Sequence, residues 1–192
     1  MKGIKITKNR AALISLTALL ITTLILTSNE KGISYVRRNL DMHQAETVPY
    51  QNDITFTLTT KQILNGLSEP IHINQVYDTD IYVEEVKEKM NDLKEKKEYL
   101  IIVGFNSHYH ADGGKMLSLF RLNKNQTRTN TIRLRAYGEN GDEGDYGSGF
   151  GDSEGKSEQM AMFVFTKKEL QKSKRWTFQM SNMHLLNYSK KN

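Results

Sequence analysis

From Asp53 onward the chain alternates apolar and polar residues, with Ile54, Phe56 and Leu58 on one side and Thr55, Thr57 and Thr59 on the other. A period of two predicts a half-buried strand. Ile71 and Ile73 repeat the signal after Pro70, and residues 99–105 are apolar on both faces, as a doubly covered strand would be. Alternation returns over residues 116–122, 130–137 and 160–165, and Trp176, Phe178 and Met180 close the series. About seven strands joined by short polar turns predict a mainly β domain, an antiparallel sandwich. Between the second and third strands, Val86, Met90, Leu93 and Leu100 recur at three- to four-residue steps among Glu and Lys, which predicts one amphipathic helix over residues 83–97. The same stripe follows heptad steps, so its face either packs across an open end of the sandwich or meets a partner helix.

Ahead of the strands, residues 11–27 carry no charge and follow Lys2, Lys5, Lys8 and Arg10. As a helix they span roughly 26 Å, near the lower limit for crossing a bilayer's hydrocarbon core and longer than a cleaved signal's apolar core, which predicts a signal-anchor with the basic end left in the cytoplasm. The alternative is secretion after cleavage near Ser34, where Gly32 and Ser34 form an acceptable small-residue pair. The expected organisation is a basic n-region at 1–10, the membrane segment at 11–27, a polar stalk at 28–50, the β-sandwich at 51–187 and a basic tail at 188–192. Four of the 27 basic residues precede every one of the 22 acidic ones, leaving 23 against 22 in the exported part. The basic balance of the chain thus belongs to its N-terminus, and nucleic acid is not an expected partner. With no cysteine, an exported domain rests on a hydrophobic core instead of disulfides.

Two loops carry the candidate chemistry. In the segment SHYHADGG, His108, His110 and Asp112 stand two residues apart, so an extended backbone turns two imidazoles and a carboxylate the same way, a donor set suited to zinc. The motif resembles the H-x-H-x-D-H loop of the metallo-β-lactamase superfamily, with Gly113 where that family's second-metal histidine belongs. That likeness implies a metal-dependent hydrolase as the alternative function. Residues 138–158 are rich in glycine and acid, and hard oxygen donors on a pliant backbone suit calcium, although their spacing does not reproduce an EF-hand. No cofactor is required by either loop. If the strands run up and down in order, both loops emerge at one end, so His108, Tyr109 and His110 on one side and Asp142, Asp145 and Tyr146 on the other are expected to form one partner-binding surface. Arg128, Arg133 and Arg135 make a basic face on the fifth strand, either solvated or facing an anionic partner.

The succession EYLIIVGFNSH, LFRLNKNQTR, a Gly-rich loop and EQMAMFVFTKKELQKSKRWTFQMS resembles the immunoglobulin-like, telokin-like domains of exported Gram-positive bacterial proteins. Thr166 and Glu169 stand at capping-box spacing in the turn before the last strand. The resemblance implies an immunoglobulin-like sandwich and an exported binding or accessory module, without catalysis, acting on a protein or cell-envelope component.

Overall fold

The computed structural model describes residues 32–90, 96–153 and 155–191, so the expected membrane segment and n-region lie outside the described residues. Among the described residues no helix is long and apolar enough to cross a membrane. The element order is α1 (Ile33–Arg38), β1 (His43–Pro49), β2 (Ile54–Thr59), α2 (Thr60–Asn65), β3 (Ile71–Val76), β4 (Thr79–Met90), β5 (Lys97–Ser107), β6 (Gly113–Ser118), β7 (Phe120–Leu122), β8 (Arg128–Asn130), β9 (Arg133–Gly138), β10 (Gly147–Asp152), β11 (Gln159–Thr166), α3 (Lys167–Leu170), β12 (Arg175–Ser181) and β13 (His184–Lys190). The fold is mainly β, and every strand pairing is antiparallel.

A five-stranded sheet, ordered β10-β11-β5-β4-β3, and a three-stranded sheet, β2-β12-β9, pack face to face. The alternation seen in the sequence places Ile54, Leu58, Trp176, Phe178 and Met180 inward from the smaller sheet against Ile101, Val103, Phe163 and Phe165 of the larger. Phe178 is at the centre: its ring stacks on Phe56 at 4.8 Å and meets Phe163 edge-on at 4.9 Å. A third sheet, β1-β13-β6, sends Leu117 and Leu185 into the same core and turns Met116, Leu186 and Tyr188 the other way, where Ile33 and Val36 of α1 cover them.

Several expectations are corrected. Residues 83–90 belong to strand β4, not to a helix; residues 91–95 lie outside the described residues. The register shifts between Val83 and Glu85, so a β-bulge inserts one extra residue. Ile81, Val83 and Val86 therefore all face the core, and a spacing of three that mimics a helical step arises from a strand. Residues 33–49 are not stalk: α1 and β1 are part of the fold, β1 pairing with β13 from His43↔Lys190 to Pro49↔His184. That same pairing carries strand beyond position 187 into the expected tail. The expected strand at 116–122 breaks at Leu119, whose N–H turns to the buried Gln159 side chain. Part of the Gly-rich loop is strand β10, on the edge of the large sheet.

Helix α1 is fixed by a polar network. Glu158 accepts the N–H groups of Ile33 and Ser34 at 2.9 and 3.2 Å. Arg37 donates to Ser118 Oγ at 2.6 Å, to Gln159 Oε1 at 3.0 Å and to Asp152 at 3.2 Å, beneath the Phe120 ring. Burial draws the Arg37 guanidinium down to about 10, which leaves it a cation at neutral pH. Burial also pushes the Glu158 carboxyl up, and the two N–H groups and Arg37 bring it back only in part. The folded state thus holds this proton more tightly than the unfolded chain. Its contribution to stability is full below the unfolded value near 4.5 and is lost as pH rises through the folded pKa. Comparing thermal unfolding of the wild type and Glu158→Gln between about pH 4 and 7 should show the wild type's advantage shrinking with pH; an advantage that grows would contradict this sign.

Candidate functional site

The His-bearing loop leaves the C-terminal end of β5 and is stapled where it turns back. His110 N–H donates to the Tyr188 hydroxyl at 2.7 Å, and that hydroxyl donates to the His110 carbonyl at 3.2 Å. Tyr109 is half-buried among Tyr35, His43 and Tyr188, with its ring stacked on Tyr188 at 5.7 Å and its hydroxyl 3.1 Å from His43 Nε2. Its role is structural, joining α1, β1 and β13. His108 and His110 take different carboxylates: His108 Nε2 lies 2.8 Å from Asp80 Oδ2, and His110 Nε2 lies 3.4 Å from Asp78 Oδ1. His72 reaches the other oxygen of Asp80 at 3.7 Å. Asp112 is exposed. The expected convergence of His108, His110 and Asp112 does not occur, and among the described residues no three His, Cys, Asp or Glu side chains are placed to hold a metal ion.

The acidic turn sits elsewhere. In the large sheet Gly147 pairs with Val164, which in turn pairs with Leu100, while Gln159 pairs with Phe105. The turn before Gly147 is therefore at the opposite end of the sheet from the loop that follows Ser107. Asp142, Asp145 and Tyr146 do not share a surface with His108, Tyr109 and His110, because β10 folds back on β11 and reverses the direction that a simple up-and-down count supplies. Asp142 and Asp145 are exposed. Tyr146 instead stacks on Phe165 at 5.4 Å and donates to the Leu134 carbonyl at 3.0 Å; burial first, then the hydrogen bond to Glu143, pushes its hydroxyl up to about 12. Thr166 caps α3 as its spacing predicts, accepting the Glu169 N–H at 3.2 Å. The Glu169 side chain, however, is turned to Asp145 N–H and Lys172.

A third region is assembled by strand order. The outward residues of β2, β12 and β9 form one polar face, because Thr57 pairs with Thr177 and Thr177 with Tyr137, and Thr55 pairs with Gln179 and Gln179 with Arg135. The Thr57 and Thr177 hydroxyls lie 3.3 Å apart, and Gln179 donates to Asp53 at 2.6 Å. Arg135 donates to the Tyr137 hydroxyl at 3.1 Å. Arg133 projects beside Ser181, and Arg175 beside Thr59. Among the described residues no carboxylate makes an ion pair with Arg133, Arg135 or Arg175. Arg37 and Arg128, in contrast, share Asp152.

The face runs into a cleft of about 460 Å³ between the segment before β2 and the β12–β13 turn. Asp53, Tyr50, Thr131, Asn182 and His184 line it. His184 Nδ1 lies 3.2 Å from Thr131 Oγ1, and burial together with nearby Arg121 lowers its pKa, so the imidazole is neutral at pH 7. The alternation of Arg133 and Arg135 made the edge of this face readable. Arg175, the threonines and the cleft required knowing that β12 lies between β2 and β9. Compared with known protein families, curated proteins and solved structures, the chain matches none.

Proposed function

We propose that the chain is a membrane-anchored, extracytoplasmic binding module of immunoglobulin-like architecture that docks a cell-envelope component on the outer face of β2, β12 and β9. The observation that carries the reading is the set of arginines on the outer face of β9 and β12 that form no ion pair among the described residues. The fold pairs Arg37 and Arg128 with Asp152 where it uses them to hold α1 and β7, whereas Arg133, Arg175 and Arg135, which donates to Tyr137 in the field of Glu143, are bridged by no carboxylate. Rigid strands fix their spacing, so a ligand meets a preorganised surface. Retention of the anchor is supported by α1, since cleavage after Ser34 would remove Ile33, which is 0% exposed, together with the N–H groups that Glu158 accepts.

A photoreactive residue placed singly at Thr57, Thr177, Asp112 or Asp145 in the full chain, in cells, tests the docking face, the last two being exposed positions on the two loops. Envelope material should be captured from Thr57 and Thr177. Capture from Asp112 or Asp145 alone would move the docking surface to the loops and overturn the reading.

A further inference from the structure

Resting on that reading of the face, we infer that its ligand is an acidic polysaccharide. Arg133 and Arg135 project from one side of β9, two residues and about 6.8 Å apart. Arg175 stands six residues along β12 from Ser181, the partner of Arg133, so the cationic positions span roughly 20 Å of the sheet. That is longer than one sugar ring and calls for a chain.

Between the arginines the face offers hydrogen-bonding groups: the hydroxyls of Thr55, Thr57, Thr177 and Ser181 and the amide of Gln179. Each hydroxyl both donates and accepts, as the hydroxyls of a sugar do. The guanidinium forks match carboxylates spaced along the polymer. Tyr137 is the one aromatic side chain on these three outward rows, whereas the centre of a protein interface is enriched in aromatic residues and depleted of charge. Single-stranded nucleic acid likewise uses successive aromatic platforms. Hydroxyl-rich and cationic, the surface fits a carboxylated glycan better than either. The cleft at its margin adds Asn182 and the neutral His184 where the polymer would leave the sheet, and the one carboxylate there, Asp53, is engaged by the Gln179 amide.

Exposed ion pairs are individually weak and screened by salt. Binding therefore rests on several contacts at once and should fall steeply as salt is raised. The test uses the full chain in detergent, passed over immobilised polygalacturonate, neutral dextran and inorganic polyphosphate. Polygalacturonate should retain the protein at low salt and release it at higher salt, and dextran should not retain it. The double variant Arg133→Glu/Arg135→Glu should weaken retention by about tenfold or more. A control with the same change in net charge at exposed positions off the face, Arg38→Glu/Lys124→Glu, should leave retention near the wild type, which separates the face from net charge. Circular dichroism of both variants verifies that they fold. Equal retention on dextran, stronger retention on polyphosphate, or loss in the control equal to that in the double variant would each overturn the inference. If no polymer retains the protein while Thr57 or Thr177 still captures a protein in cells, the ligand class is wrong and the docking face stands. If those positions capture nothing either, both readings fall.

Discussion

Replacing Phe178 by alanine is expected to destabilise the domain by about 3–5 kcal/mol and lower its unfolding temperature by roughly 10 °C. The ring is 0% exposed and joins both sheets, stacking on Phe56 and meeting Phe163 and Phe165 edge-on. Truncation removes the transfer free energy of the ring and leaves a cavity that rigid strands on either side cannot close. A domain stable by about 5–15 kcal/mol loses a large share of its margin. Fluorescence of Trp176, the chain's single tryptophan, follows the transition from inside the same core. Thr177→Ala, one residue away but on the outer face, should change stability by no more than about 0.5 kcal/mol. Equal effects of the two substitutions would contradict the face-to-face packing of the sheets.

Deleting residues 1–49 should abolish the soluble folded state, whereas deleting residues 1–30 should leave it. The longer deletion removes Ile33 and Val36, both 0% exposed, and the whole of β1. Burying each of those two side chains contributes about 1.5–3 kcal/mol. Losing them would uncover Met116, Leu186 and Tyr188 and leave β13 with a free edge, an invitation to aggregation. The loss would also take from the partly buried Glu158 carboxyl the two N–H groups of α1 and the nearby Arg37 charge. Size-exclusion chromatography with circular dichroism distinguishes the outcomes. A monodisperse β-rich product starting at residue 50, unfolding at the temperature of the longer chain, would show that these residues are a spacer after all.

The contrast between these two regions explains what the sequence made legible. Strands β2, β5, β11 and β12 stood out because each buries large apolar side chains at a regular period against a large core. β1 did not, since its buried positions include His43 and its outward ones carry Gln44 and Glu46, so no apolar stripe marks it. β4 was legible as an ordered apolar pattern but with the wrong period, because a bulge added a residue between Val83 and Val86. β10 is built from Gly147, Ser148, Gly149 and Gly151, and edge pairing with β11 supplies the order that its side chains do not.

Candidate sites divided along similar lines. The His and acidic loops were conspicuous in composition, but their positions depend on register, which is non-local: β11 beside β5 and β10 beside β11 put the turn that carries Asp142, Asp145 and Tyr146 at the opposite end from the His loop. Their most distinctive aromatics, Tyr109 and Tyr146, are spent on internal packing. The arginines of β9 were readable as an outward row, whereas the rows that join them to Thr177, Gln179 and Thr57 exist only through strand order.

The docking face is tested most directly by arginine-selective modification of the full chain with phenylglyoxal, read by mass spectrometry with and without envelope fragments. Arg133, Arg135 and Arg175 should be shielded by the fragments, while the exposed Arg38 reacts at an unchanged rate. Shielding of Arg38 with Arg133, Arg135 and Arg175 left reactive would contradict the account.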